Sequence, residues 1–190
     1  MVSMKKIIFV TTNMSKVDQI NDVLKEYKFV AEQNNAEKRE DKDADMETVA
    51  KSAAKELSIE LNIPLIVEDT GLFFKAYDNF PGPQPKFVFK GIGYDGIFRL
   101  LEGKDRKAYF QTVIAYCEPN KEPICFEGKM EGKITQEIFE PREDYMPYDS
   151  IFIAEGANNP NCQMTTEERS ALPQRSKATK KLGEFLSTNK

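Results

Sequence analysis

Four apolar residues, Ile7, Ile8, Phe9 and Val10, run straight into Thr11-Thr12-Asn13. Beyond them the apolar positions change spacing, to Val17, Ile20, Val23, Leu24 and Tyr27. The short run reads as a buried strand, and the later positions recur at helical intervals. Asn13 or Ser15 is the N-cap candidate, because a short polar side chain can accept from the first free N–H groups of a helix. A strand, a tight turn and a helix therefore open the chain and direct it toward the α/β class.

The rest of the chain continues the mixture. Residues 33–45 are polar and charged and read as a loop. A helix is expected over 46–61, with Met46, Val49, Ala50, Ala53, Ala54 and Leu57 on one side. After a turn at Pro64, residues 65–67 form a buried strand that ends at Glu68-Asp69-Thr70-Gly71. Pro81, Pro83 and Pro85 keep residues 80–85 out of any regular interior element. A helix over 94–102 and a β-rich stretch over 106–117 follow. A partner strand near 124–127 lies across the turn at Pro119-Asn120. Gly128 and Gly132 punctuate the next stretch, before strands over 134–139 and 151–153. Thr165 and Glu168 have the spacing of a capping box, and a last helix is expected over 176–186. Hairpins beside βα units indicate a mixed sheet rather than a purely parallel one.

Composition removes several classes of function. At 190 residues the chain fits one domain, with 40% apolar and 31% charged residues, an ordinary globular balance. Its formal charge is −4. No basic run offsets that, so nucleic acid is not an expected partner. There is no histidine, which excludes Ser-His-Asp and Cys-His catalysis and leaves carboxylates, lysines, tyrosines or bound water as general bases. Cys117, Cys125 and Cys162 form no CxxC pair. Thiols of this kind suit a reducing compartment, so a cytoplasmic location is expected. No stretch reads as a signal peptide or membrane span.

Five segments carry candidate chemistry. Thr11, Thr12, Asn13 and Lys16 lie at a strand-to-helix turn, where backbone N–H groups, hydroxyls and an ammonium can cradle phosphate oxygens. The glycines of a P-loop are absent. Glu68 and Asp69 provide oxygen ligands of the kind a hard cation such as Mg²⁺ prefers, and either could deprotonate a water. The acidic loop 37–45 could complete a metal site. Arg169, Gln174 and Arg175 cluster around Pro173, and arginine forks suit phosphate and planar acceptors. Tyr148 could stack on a base while Asp149 accepts from a ring N–H. Each segment also has an ordinary structural use. Together they describe a nucleoside-triphosphate site.

The order of these blocks resembles the inosine triphosphate pyrophosphatase, or Ham1-like, family over nearly the whole length. Phe9-Val10-Thr11-Thr12-Asn13-Met14-Ser15-Lys16 is similar to the family's opening phosphate motif. Val67-Glu68-Asp69-Thr70-Gly71-Leu72 is similar to its acidic motif. Phe80-Pro81-Gly82-Pro83 and Arg106-Lys107-Ala108-Tyr109-Phe110 match the blocks that follow. The resemblance implies an α/β fold with a mixed, elongated, twisted sheet flanked by helices, and two lobes with a central cleft. It implies Mg²⁺-dependent hydrolysis of non-standard purine nucleoside triphosphates (ITP, dITP, XTP) to the monophosphate and pyrophosphate, by a homodimer.

By the same resemblance, Thr11, Asn13 and Lys16 contact the triphosphate. Asp69 is the main catalytic carboxylate, ligating Mg²⁺ or activating water, with Glu68 beside it and Glu40 or Glu37 as a further metal ligand. Lys51, Thr70 and Lys86 are substrate-binding, as are Tyr148, Asp149, Arg169, Gln174 and Arg175. Two blocks depart from the pattern. The family's Phe-Gly-Tyr/Trp-Asp is Met146-Pro147-Tyr148-Asp149 here, and its Ser-His-Arg is Pro173-Gln174-Arg175. Both departures touch base recognition, which leaves two rival expectations: a pyrophosphatase with another base preference, and a nucleotide-binding protein without catalysis.

Overall fold

A computed structural model of the chain describes residues 4–38, 45–78, 80–140, 146–165, 168 and 172–188. The strands are β1 (Lys5–Val10), β2 (Phe29–Asn34), β3 (Leu65–Phe74), β4 (Pro81–Gly82), β5 (Lys107–Cys117), β6 (Ile124–Ile134) and β7 (Phe152–Ala154). The helices among the described residues are α1 (Met14–Leu24), α2 (Met46–Leu61), α3 (Pro85–Leu100) and α4 (Gln174–Thr188). The strands form a seven-stranded sheet in the order β2-β1-β3-β5-β6-β7, with β4 on β3. β1 is parallel to β2 and β3, while β4 and β7 join antiparallel, so the sheet is mixed as expected. The chain divides into two compact units: residues 1–70, 112–128 and 175–190, and residues 71–111 and 129–174.

In the first unit, α1 and α4 bury their apolar faces in one cluster with Phe9, Ile66 and Ile114 of the sheet. Val17, Ile20 and Leu24 supply α1's share, and Ala178, Leu182 and Leu186 supply α4's. These are the three- and four-residue intervals that put side chains on one helical face. Helix α1 ends at Leu24, before the expected Tyr27. A single 3-10 turn follows, and Lys28 then takes a left-handed φ of 64°. Strand β2 was not expected: it fills the stretch between the first helix and the expected 33–45 loop and overlaps that loop only at Gln33 and Asn34. It lies at the edge of the sheet and buries only Ala31 below a tenth of its surface, so it carries little apolar alternation. Helix α2 spans the expected residues, with Asp45 accepting from Thr48 N–H at 3.0 Å.

In the second unit, Leu72, Phe74, Ile97, Phe110, Ile134 and Phe152 form a separate core. Phe110 meets Phe152 edge-on at 4.9 Å between centroids. Helix α3 starts at Pro85, nine residues before the expected Tyr94, with its helical run interrupted at Gly93 (φ 61°, ψ −168°). A glycine tolerates that conformation where other residues do not. Strand β6 passes unbroken through Gly128 and Gly132, where two strands were expected. Gly132 pairs with Ala154, and a Cβ there would collide with the Ile153 carbonyl and the Phe152 ring. The glycine serves close approach rather than a turn. Thr165 and Glu168 do form the capping box, at 2.8 and 3.2 Å.

Candidate functional site

The first unit assembles a charged cluster where β1 ends beside its parallel neighbour β3. Ile8 and Phe9 of β1 pair with Leu65 and Ile66 of β3. Two residues further along each strand come Thr11 and Glu68, so the polar turn after β1 and the acidic motif of β3 emerge on the same side. The turn is held by Thr11 N–H donating to the Asn34 carbonyl at 3.0 Å and by Gln33 Nε2 donating to the Thr11 carbonyl at 3.0 Å. Asn13 occupies the N-cap position in an extended conformation but makes no side-chain cap bond. Its N–H donates to Thr11 Oγ1 at 3.1 Å. The first N–H groups of α1 have no intrahelical acceptor and carry the positive end of the helix dipole.

Strand β3 does not stop at Val67 as expected but continues to Phe74, which places the acidic motif within the strand. Successive side chains of a strand point to opposite faces, and Glu68 and Asp69 have different partners. Glu68 has no exposed side-chain surface. Lys16 Nζ sits 2.5 Å from its Oε2. Arg175 donates to its Oε1 from Nε at 3.3 Å and from Nη2 at 3.2 Å. Thr70 Oγ1 also donates to Oε1, and lies 2.6 Å from Thr112 Oγ1. The remaining Arg175 nitrogen donates to Gln19 Oε1. Burial alone would raise the Glu68 pKa. The charges of Arg175 and Lys16 and the bonds from Lys16 and Thr70 outweigh it and hold the pKa at about 2.

Asp69 is 18% exposed and accepts from Lys38 Nζ at 3.0 Å. The expectation that Glu68 and Asp69 share a metal is therefore narrowed. Glu68 is enclosed by cationic side chains and offers no open coordination position, whereas Asp69 keeps an accessible surface. Mg²⁺ needs only one or two protein carboxylates when substrate phosphates and water fill its other positions. On this donor chemistry Asp69 fits a hard cation.

The other expected residues divide. Lys51 on α2 is ion-paired to Glu47 at 2.5 Å, one turn away on the same helix, and approaches Cys125, whose thiol burial pushes up to about 11. Lys86, Tyr148, Asp149 and Gln174 belong to the second unit. Lys86 is exposed in the first turn of α3. Tyr148 was expected to offer its ring to a base, but it is only 4% exposed and packs edge-on against Phe89 at 5.8 Å. Its hydroxyl has no hydrogen-bond partner among the described residues, and burial raises its pKa. A proline-led 3-10 turn, Pro147–Ser150, directs it into the core. Asp149 accepts from Asn161 Nδ2 at 3.3 Å. Gln174 is buried, and its Oε1 lacks a partner among the described residues. Glu40 and Arg169 lie outside the described residues, and Glu37 is exposed.

Lys38, Thr112 and Gln19 were not foreseen. Lys38 was masked by its acidic neighbours, which made the segment read as solvated surface. Thr112 is reached only through strand register. Gln19 is one helical turn beyond Ser15, a spacing that would have placed it near Lys16.

An α/β sheet with a phosphate-type turn beside strand-borne carboxylates defines a small-anion site of the nucleotide-handling kind. Residues 7–185 match the Ham1 family model. A dITP/XTP pyrophosphatase from Methanopyrus kandleri is 37% identical over 97% of both chains. One from Methanosarcina mazei is 42% identical over 80% of this chain and 83% of its own. The solved structure of a Ham1 protein from Coxiella burnetii superposes with a TM-score of 0.79 at 22% identity, covering 97% of this chain and all of that one, which speaks for the fold. The chain belongs to the Ham1 family.

Proposed function

We propose that this protein hydrolyses non-standard purine nucleoside triphosphates, ITP, dITP and XTP, to the monophosphate and pyrophosphate, and so clears them from the nucleotide pool. The observation that carries the reading is the ion pair of Lys16 with Glu68, which sets a phosphate-binding cation on the strand that also bears Asp69, the carboxylate able to handle water. The curated relatives from Methanopyrus kandleri and Methanosarcina mazei, both dITP/XTP pyrophosphatases, support the substrate class.

Enzymes of this family generally need a divalent metal, and we take it to be Mg²⁺, held by Asp69 with a carboxylate from the loop before α2, Glu40 or Glu37. Such an ion polarises phosphate oxygens and acidifies a bound water. The protein's own groups do the rest. Thr11, Thr12, Asn13 and the first N–H groups of α1 bind the phosphate chain. Lys16 exchanges its contact with Glu68 for the leaving pyrophosphate, where charge develops. Asp69 accepts the proton of the water that attacks the α-phosphorus, and the bond to the bridging oxygen breaks. Glu68 does not touch substrate. It positions Lys16 and Arg175.

Lys51, Thr70 and Lys86 remain substrate-binding proposals, as do Arg169 and Asp149. Arg175, whose guanidinium has donors only, and Gln174 beside it are the proposed donors to the purine 6-oxo group. Adenine's amino group would meet a donor there instead. One such mismatch costs about 1–3 kcal/mol, or roughly fivefold to 150-fold.

Pyrophosphate release should therefore be at least about fivefold faster, per kcat/KM, with ITP, dITP and XTP than with ATP. Similar rates for every nucleotide would remove the selective reading. Tight binding without product would favour a non-catalytic nucleotide binder. We also propose a cytoplasmic homodimer. Three cysteines without a CxxC pair suit a reducing compartment, and no helix among the described residues is long and apolar enough to cross a membrane. Sedimentation equilibrium should give twice the chain mass of 21.7 kDa, and a monomer at micromolar concentration would refute the dimer.

A further inference from the structure

Lys38 and Asp69 form a contact that the proposed reaction does not use. The ammonium lies 3.0 Å from Asp69 Oδ1, and the side chains are 15% and 18% exposed. This pair is more enclosed than the other lysine pairs of the surface, such as Lys6 with Glu32 at 67% and 44%. Lys38 stands four residues beyond the end of β2, at the entrance to the acidic loop. Its four-carbon stem lets the charge move without moving the backbone.

We propose that Lys38 competes with the divalent cation for the Asp69 carboxylate: the lysine neutralises Asp69 in metal-free protein and must withdraw when the metal binds. This rests on the reading of Asp69 as the cation-binding carboxylate. The charges around β3 supply the reason. Lys16 and Arg175 pair with Glu68, and Lys38 pairs with Asp69. A divalent ion added beside Asp69 with Lys38 still in place would set two cations on one carboxylate, and they would repel each other. Both also draw on the Asp69 oxygens, since an ammonium donates hydrogen bonds to the kind of lone pair a metal would accept. Glu68 cannot take the displaced lysine, because Lys16, Arg175 and Thr70 already surround it. The polyphosphate of the substrate is the one anion the proposed reaction brings to this place, so metal entry releases Lys38 toward it. Lys38 is thus a positioning residue that couples metal loading to nucleotide loading.

The test is Mn²⁺ binding to nucleotide-free protein, followed by titration calorimetry. Lys38→Met keeps the stem and removes the charge, and should bind Mn²⁺ about fivefold more tightly than wild type. Lys38→Arg should stay near wild type, and Asp69→Asn should lose the site in either background. Added Mn²⁺ should also raise the melting temperature of Lys38→Met more than that of wild type. If Lys38→Met proves unfolded, Lys38→Gln takes its place. Equal Mn²⁺ affinity with and without the Lys38 charge overturns the proposal, and so does binding that survives Asp69→Asn. Absence of Mn²⁺ binding to every variant overturns it too. Pyrophosphate release by the wild type would still stand as evidence for the hydrolase in each of these cases, and its absence would count against the hydrolase alone.

Discussion

Asp69→Asn is expected to lower kcat by about 10²–10⁴-fold, the range over which a positioned general base acts, while nucleotide affinity changes little. The substitution keeps shape and size. It removes the negative charge and the basic oxygen, and so removes proton acceptance and the attraction for a divalent ion together. Lys16 and Arg175 are anchored through Glu68, not Asp69, the turn after β1 is held by Gln33 and Asn34, and all should still hold the nucleotide. Single-turnover pyrophosphate release and calorimetric nucleotide binding separate the two effects. A variant with near-normal kcat would show that Asp69 is not the hydrolytic carboxylate.

The second large effect is on stability. Glu68→Gln should cost about 3–5 kcal/mol at neutral pH, because it leaves Lys16 and Arg175 without their counter-charge in a mostly buried place. Their side chains are 23% and 12% exposed, so solvent recovers part of the loss and the lower figure is the better expectation. The pH dependence follows from the lowered pKa. Glu68 drops from an ordinary 4.5 to about 2 on folding, so the unfolded chain takes up its proton first as pH falls. The contribution of Glu68 is complete above about pH 4.5 and is lost as pH falls from there toward 2, a gap equivalent to roughly 3 kcal/mol. Urea unfolding of the two proteins should converge across that window. A constant separation down to pH 2.5 would mean that the ion pairs contribute nothing to folding.

Much of this site could be read before the structure because its parts sit where apolar patterns change. The runs ending at Val10 and Val67 marked two core strands, and parallel neighbours of that kind bring their polar sequels together. What failed was depth. Glu68 and Asp69 look equivalent in sequence, but a strand that runs through them sends them to different partners, and only the apolar residues beyond, Leu72 and Phe74, hinted that it continues. Lys38 sat among acidic residues, where a charge that reaches the core cannot be told from one that reaches water. Tyr148 was misplaced for a similar reason. An aromatic two residues after an exposed methionine suits a pocket wall as well as a core, and the turn that Pro147 begins decided for the core. Gly132 looked like a chain break because sequence does not show which neighbour will press against a missing side chain.

Glu68 is joined to Arg175, 107 residues further along the chain. During synthesis the acidic strand is therefore made long before the guanidinium that neutralises it, and Lys16 stands alone as its counter-charge until the last helix emerges from the ribosome. An unfinished polypeptide holds an unbalanced version of this cluster. The emergence of α4 both closes the first unit's core and supplies the second positive partner of Glu68, so packing and charge balance are completed by the same helix.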